Sequence, residues 1–308
     1  MFIQRYLISF AFLGAMGGTA VTAETTPNEV FQRTETVLAM LGKMNESNFT
    51  TVPTQSGTGE PALPRHVLQT GRDVWRKMQL LRFMNGLPTK SMPELEVKTI
   101  SPGVVKSFVD ALYVEAEALL PAYGIMDAQQ DTSLPSGKTP SDVLNSLKQV
   151  SASLDSLGIP ATVPNDVFQL AETVRNDMVS LAEGIGLSNV ENVMSQVPLS
   201  EGRSPADAYD ASIDLLQDIK ALTEMSAQYA AKGGIDVPQK RPQSITPTDV
   251  MRVLGRARAD INAVKVKAGA RKAGRSAPYT GGRTPSDVHR SIEQARAVVS
   301  LIMTQHKS

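Results

Sequence analysis

Thr284-Pro285-Ser286-Asp287-Val288 is one writing of a phrase that runs, intact or worn, through the whole chain. Clear copies are Thr26-Pro27-Asn28-Glu29-Val30, Thr139-Pro140-Ser141-Asp142-Val143, Ser204-Pro205-Ala206-Asp207-Ala208 and Thr246-Pro247-Thr248-Asp249-Val250. Val163-Pro164-Asn165-Asp166-Val167 lacks only the hydroxyl. Leu63-Pro64 through Val67 and Ser101-Pro102 through Val105 are weaker. Each copy reads as a helix start. Thr or Ser accepts from amides that have no partner within the helix, and Pro is pre-set for the first helical position. The carboxylate two residues on faces the positive end of the helix dipole.

From each Val, or Ala208 in one copy, apolar residues recur at +4, +3, +4 and +3. The first helix gives Val30, Thr34, Val37, Leu41 and Met44, and the last gives Val288, Ile292, Ala295, Val299 and Ile302. Across all eight stretches only Thr34, Gly71 and Ser212 interrupt the series. That spacing marks one face of a helix and does not fit a strand. Ile100 with Val105, and Ile245 with Val250, have the spacing of a hydrophobic staple across the cap.

The cap prolines stand at 27, 64, 102 and 140, then at 164, 205, 247 and 285. The halves also agree in residues: Pro27-Asn28-Glu29-Val30-Phe31-Gln32 matches Pro164-Asn165-Asp166-Val167-Phe168-Gln169, and Glu35-Thr36-Val37 matches Glu172-Thr173-Val174. The expectation is an all-α protein of two tandem four-helix bundle-like units arising from internal duplication, residues 24–160 and 161–308. One continuous superhelical stack is the rival arrangement. The segments Asn45–Leu63, Gly124–Lys138, Gly186–Arg203 and Gly269–Arg283 are longer than bundle loops usually are. They would drape over helices, carry function, or let consecutive helices run parallel. The short link from Leu157 to Pro164 predicts that the fourth and fifth helices are antiparallel neighbours.

Residues 1–23 read as a signal peptide. Arg5 precedes a mostly apolar stretch from Tyr6 to Met16, and Val21-Thr22-Ala23 fits a cleavage site before Glu24. The apolar stretch is short for a membrane span. This predicts a periplasmic or secreted protein. The 308 residues include no cysteine, which excludes thiol catalysis, thiolate metal sites and disulfides. A chain of this length can build a core without them.

The catalytic inventory is thin. His66, His289 and His306 stand in no helical metal-binding spacing. The cap carboxylates are explained by helix-start electrostatics. Met40, Met44, Met78 and Met178 fall on or beside the apolar seams, so they read as core rather than copper ligands. No phosphate loop or nucleophile elbow is written here. The reading is therefore non-catalytic, with no cofactor and no metal.

Charge is the feature that exceeds architecture. Residues 240–308 hold 14 Lys and Arg against 4 Asp and Glu, although the whole chain is neutral. Arg252, Arg256, Arg258, Lys265, Lys267, Arg271, Lys272 and Arg275 form the dense part and predict a surface on the seventh long helix and its following loop for an anionic partner. That partner would be an envelope polymer, lipid headgroups or an acidic protein. A solvated face, or one turned to the acidic half of the same molecule, is the plainer reading. Export and the lack of interleaved aromatics argue against nucleic acid. The alternative function is a small-ligand sensor or carrier with a pocket inside one bundle near Thr34, Gly71 or Ser212.

Overall fold

The computed structural model describes residues 24–54, 61–126 and 133–307. The segment 1–23, and with it the expected signal peptide, lies outside the described residues. Among the described residues the regular elements are nine α-helices and one 3-10 turn, with no strand. They are α1 Pro27–Ser47, α2 Pro64–Met84, α3 Pro102–Leu119, α4 Pro140–Ser156, α5 Pro164–Gly184, α6 Val190–Ser195, α7 Pro205–Met225, α8 Pro247–Ala268 and α9 Pro285–Lys307. The 3-10 turn, Leu120–Tyr123, follows α3. All eight long helices start on the expected proline. The six-residue α6 was not anticipated; it interrupts the segment between α5 and α7. Among the described residues, no helix is long and apolar enough to cross a membrane.

The seams are the core. Val30, Thr34, Val37, Leu41 and Met44, and their counterparts in the other seven long helices, are all buried. A fully buried Leu, Val, Ile or Met side chain contributes about 1.5–3 kcal/mol relative to exposure. The buried apolar residues fall into two clusters, one from Val30 to Ile159 and one from Val167 to Ile302. The three breaks in the pattern are absorbed. Thr34 and Ser212 donate back to the carbonyls of Val30 and Ala208, at 2.9 and 2.7 Å. Gly71 lies against the ring of Phe108, which also tilts onto Trp75 with ring centroids 6.0 Å apart.

Within each cluster four helices form a ring. In the first, α1 packs on α3 and α4, and α2 packs on α3 and α4, so α1 and α2 lie on a diagonal. In the second, α5 and α7 lie on one diagonal, and α8 and α9 on the other. Sequence neighbours across a diagonal do not touch, which is not the order of a repeat stack.

Side-chain contacts fix the directions. Near the starts of α1 and α4, Asn28 accepts from Lys138 N; midway, Ser146 donates to Glu35; at the ends, Asn45 donates to Ser153. Those helices run parallel. Gly71 beside Phe108 and Arg82 beside Glu115 make α2 parallel to α3, and Arg33–Asp110 and Ser47–Tyr123 do the same for α1 and α3. In the second ring the series Asn165–Arg283, Glu172–Ser291 and Arg175–Gln294 aligns α5 with α9. Asp218–Arg296 and Asp177–Arg258 add α7 and α8. Each ring is thus an all-parallel quartet.

This explains the long connections. A helix of about 21 residues spans about 30 Å, and roughly nine extended residues are needed to return. Every connection inside a quartet has at least sixteen residues. The 157–163 link has only seven and makes no return, because the second quartet runs the opposite way. Arg65 in the first turn of α2 meets Asp260 in the later half of α8, Gln69 meets Gly255, and Arg76 lies 3.9 Å from Asp166 at the start of α5. The expectation for helices four and five therefore needs correction: α4 and α5 point in opposite directions but do not touch. The helix contact between quartets is α2 on α8.

The quartets also share polar details. Lys138 N donates to Asn28 and Arg283 N to Asn165, both at 2.8 Å. Lys138 lies over Phe31 and Arg283 over Phe168, at 4.3 and 4.5 Å from the ring centres. Ser141 accepts from Ala62 N and Ser286 from Arg203 N. The serine of the recurring phrase thus holds the end of a return segment.

Candidate functional site: the joint between the quartets

Two carboxylates organise the charged joint between the quartets. Asp260 of α8 is fully buried. Its Oδ1 accepts from Arg65 Nε at 2.7 Å and lies 3.0 Å from His66 Nε2. His66 Nδ1 accepts the Leu63 amide at 3.3 Å, so its Nε2 carries the proton that faces Asp260. At this one helix start an imidazole does what an Asp or Glu does at the starts of α1, α4, α5, α7, α8 and α9. Arg65 also donates to the carbonyls of Lys232 and Gly234, so its guanidinium stitches α2 to the segment after α7.

Asp177 of α5 is the second. It accepts from Arg258 Nε at 3.0 Å, from Lys265 Nζ at 3.2 Å and from the Gly274 amide at 3.1 Å. Lys265 is fully buried. Burial lowers its pKa, Asp177 pulls it back up, and Arg258 lowers it further. Arg72 of α2 faces the same carboxylate from the other quartet. Burial first, then the neighbouring Arg258, bring its guanidinium down to about 10, with Asp177 acting in the opposite sense. Arg72 is still a cation at neutral pH. It donates to the Pro93 carbonyl at 2.7 Å and has no carboxylate within 4 Å among the described residues.

Of these groups Arg65, Arg72, Asp177, Arg258 and Gly274 line a cleft of about 420 Å³. One wall is apolar: Leu68, Met92, Pro93, Leu95, Val97 and Ile100, from α2 and the segment that returns along it. The other is polar, with Arg258, Asn262, Gly274, Arg275 and Ser276 beside Asp177. Arg65, Gln69, Arg72, Glu94 and two alanines complete it.

The eight sequence-predicted cations fall into three groups. Arg252 pairs with Asp249 at 2.9 Å and Arg256 with Asp236 at 3.0 Å, which removes the like-charge conflict between them. Arg258 and Lys265 are committed to Asp177. Arg256, Arg258 and Lys265 meet acids of their own molecule, and Lys265 is no part of any surface. Lys267, Arg271, Lys272 and Arg275 are exposed. Of these four, among the described residues, only Lys272 approaches an acid, Glu183 at 3.7 Å.

The basic 269–284 segment is not a free loop. It runs back along α5: Ser180 donates to Lys272 O, Asn176 to Arg275 O, and Gln169 to Ala277 O, while Ala277 N donates to Thr173. Bare glycine permits the contact. A Cβ on Gly184 would lie 2.6 Å from that of Ala270, and one on Gly274 would lie 2.6 Å from Asp177 Oδ1 and 2.7 Å from its Cα.

Sequence reasoning missed Arg65, Arg72, Asp177 and Asp260. A signal was present on α2, where Arg65, Gln69, Arg72 and Arg76 recur at helical spacing opposite the seam. Nothing local marks Asp177 or Asp260 as buried partners. Of the other histidines, His306 lies edge-on to Tyr229, with ring centroids 5.7 Å apart. No family profile, curated protein or solved structure matches this chain.

Proposed function

We propose that this is an exported, non-catalytic helical binding protein whose second quartet presents a fixed row of cations to an anionic envelope polymer. One observation carries the reading. Lys267, Arg271 and Lys272 stand exposed on the last turn of α8 and on an extended segment hydrogen-bonded along α5. Fixed spacing suits a repeating anion, because little side-chain and loop freedom is lost on binding. The export part rests on residues 1–23 as read from sequence. The matched polar contacts of the two quartets, together with the aligned prolines, support their origin by duplication, with the boundary in 157–163.

The variant Lys267→Glu/Arg271→Glu/Lys272→Glu is the test, because it leaves Arg256 and Arg258 in their internal pairs. Retention on a sulfated polysaccharide matrix at low salt is expected for the parent and lost in the variant, and lost for both as salt rises. Unchanged retention of a folded variant rejects the reading. The carrier with a pocket inside a bundle has no comparable support, since Thr34, Gly71 and Ser212 are packed or bonded within their helices.

A further inference from the structure

From the arrangement of the cleft between the quartets we infer a second, separate binding site: Arg72, Arg258 and Arg275 receive the oxyanion head of a small amphiphilic organic anion whose apolar body lies against Leu68, Met92, Leu95, Val97 and Ile100. This deepens the anion-binding reading without depending on the exposed row.

Three observations converge on it. The first is charge. Arg65, Arg72, Arg258 and Arg275 line the cleft with Asp177 and Glu94, four cations against two carboxylates among the described residues. Asp177 is already shared by Arg258 and Lys265, and Asp260 by Arg65 and His66. The second is Arg72 itself. The residue is more than nine-tenths buried, lines the cleft, and among the described residues has a single hydrogen-bond acceptor, the Pro93 carbonyl. A guanidinium carries five N–H donors, and a buried cation is ordinarily paired. An oxyanion in the cleft supplies both the counter-charge and the missing acceptors. The third is the division of the walls. Apolar residues of α2 and its return segment share the cleft with Arg258 and Arg275, and its volume of about 420 Å³ falls within the ordinary size of small-molecule sites. Inorganic phosphate alone would leave the apolar residues uncovered. The fitting ligand has one carboxylate or phosphate monoester and a short hydrocarbon or ring.

Calorimetric titration of the purified protein with octanoate, octyl phosphate, 1-octanol and inorganic phosphate tests this. Octanoate and octyl phosphate are expected to saturate one site per chain, with inorganic phosphate roughly tenfold or more weaker and octanol silent. Arg72→Met keeps the bulk of the side chain and is expected to weaken both octyl anions about tenfold or more. Ser276→Trp, on the exposed rim, is expected to weaken them by obstruction. Helical circular dichroism reports that each variant is folded, and the fluorescence of Trp75 does so for Arg72→Met; if Arg72→Met does not fold, Ser276→Trp decides. The inference is overturned if neither octyl anion saturates, if octanol binds as well as octanoate, or if folded variants bind like the parent. The Lys267→Glu/Arg271→Glu/Lys272→Glu variant separates the two readings. It is expected to bind the octyl anions normally. If it loses them together with the polysaccharide, the cleft site is rejected; if the parent takes up octyl anions but ignores the polysaccharide, only the surface reading fails.

Discussion

At the starts of α4, α7, α8 and α9 a hydroxyl and a carboxylate exchange hydrogen bonds with the two nearest backbone amides. Thr139 N donates to Asp142 at 2.8 Å while Asp142 N donates to the Thr139 hydroxyl at 3.3 Å, and the same reciprocity holds at Ser204, Thr246 and Thr284. The Ser204 hydroxyl and then its amide bring the Asp207 carboxyl down to about 2. Asp142 is lowered first by the Thr139 hydroxyl. For Asp249 and Asp287 burial acts upward and is outweighed by the bonds from Thr246 and Thr284. A carboxylate with a depressed folded-state pKa contributes stability that is whole above about pH 4 and is lost as pH falls through the folded value. Urea midpoints are therefore expected to fall between about pH 4 and pH 2, and Asp207→Asn to flatten part of that limb. Asp177 acts differently. Asp177→Ala leaves Lys265 buried without a counter-charge and strips Arg258 and the Gly274 amide of an acceptor, so a loss of about 3–5 kcal/mol is expected in urea unfolding. The cap carboxylates were legible in the sequence because their partners lie three residues away. Asp177 was not, because its partners lie 81, 88 and 97 residues along the chain.

The helices themselves were legible to the residue at their starts, because Pro fixes the first position and the seam fixes the buried face. Their directions were not. A seam is the same whether its neighbour runs up or down, and only the length of the connections carried that information. Parallel packing gathers four positive helix ends at one pole of each quartet. In the second quartet all four of those helices carry an acid in the first turn, Asp166, Asp207, Asp249 and Asp287, which offsets the accumulation. The return segments are as much a part of the fold as the helices. Gly274→Ala and Gly184→Ala place a methyl against the backbone across the 269–284 contact. Each is expected to cost about 1–3 kcal/mol, while exposed Gly281→Ala is expected to be nearly neutral. Thermal unfolding of the three variants checks this. A free loop would tolerate all three alike.

Two cores whose helix contact is the charged α2–α8 pair make a molecule whose halves can be uncoupled chemically. Asp260→Ala leaves Arg65 and His66 buried opposite no acid, yet removes nothing from either apolar cluster. The expected result is that one cooperative unfolding transition separates into two, seen by calorimetry, with helical content unchanged. A single transition at an unchanged temperature would show that the joint does not depend on Asp260. The pattern of two similar halves was visible in the cap prolines. Their mutual placement was not, because the residues that meet across the joint belong to opposite quartets and neither half alone shows a reason for them. Arg65 and Arg72, cations on the side of α2 away from its seam, become interior groups only when α8 arrives.

The opposed run of the quartets has a geographic result. The first turn of α1 and the last turn of α9 come out at one pole, and the α4–α5 turn sits at the other. A tether fixed to either terminus would grip the molecule from the same side and leave that turn pointing outward, farthest from the point of attachment.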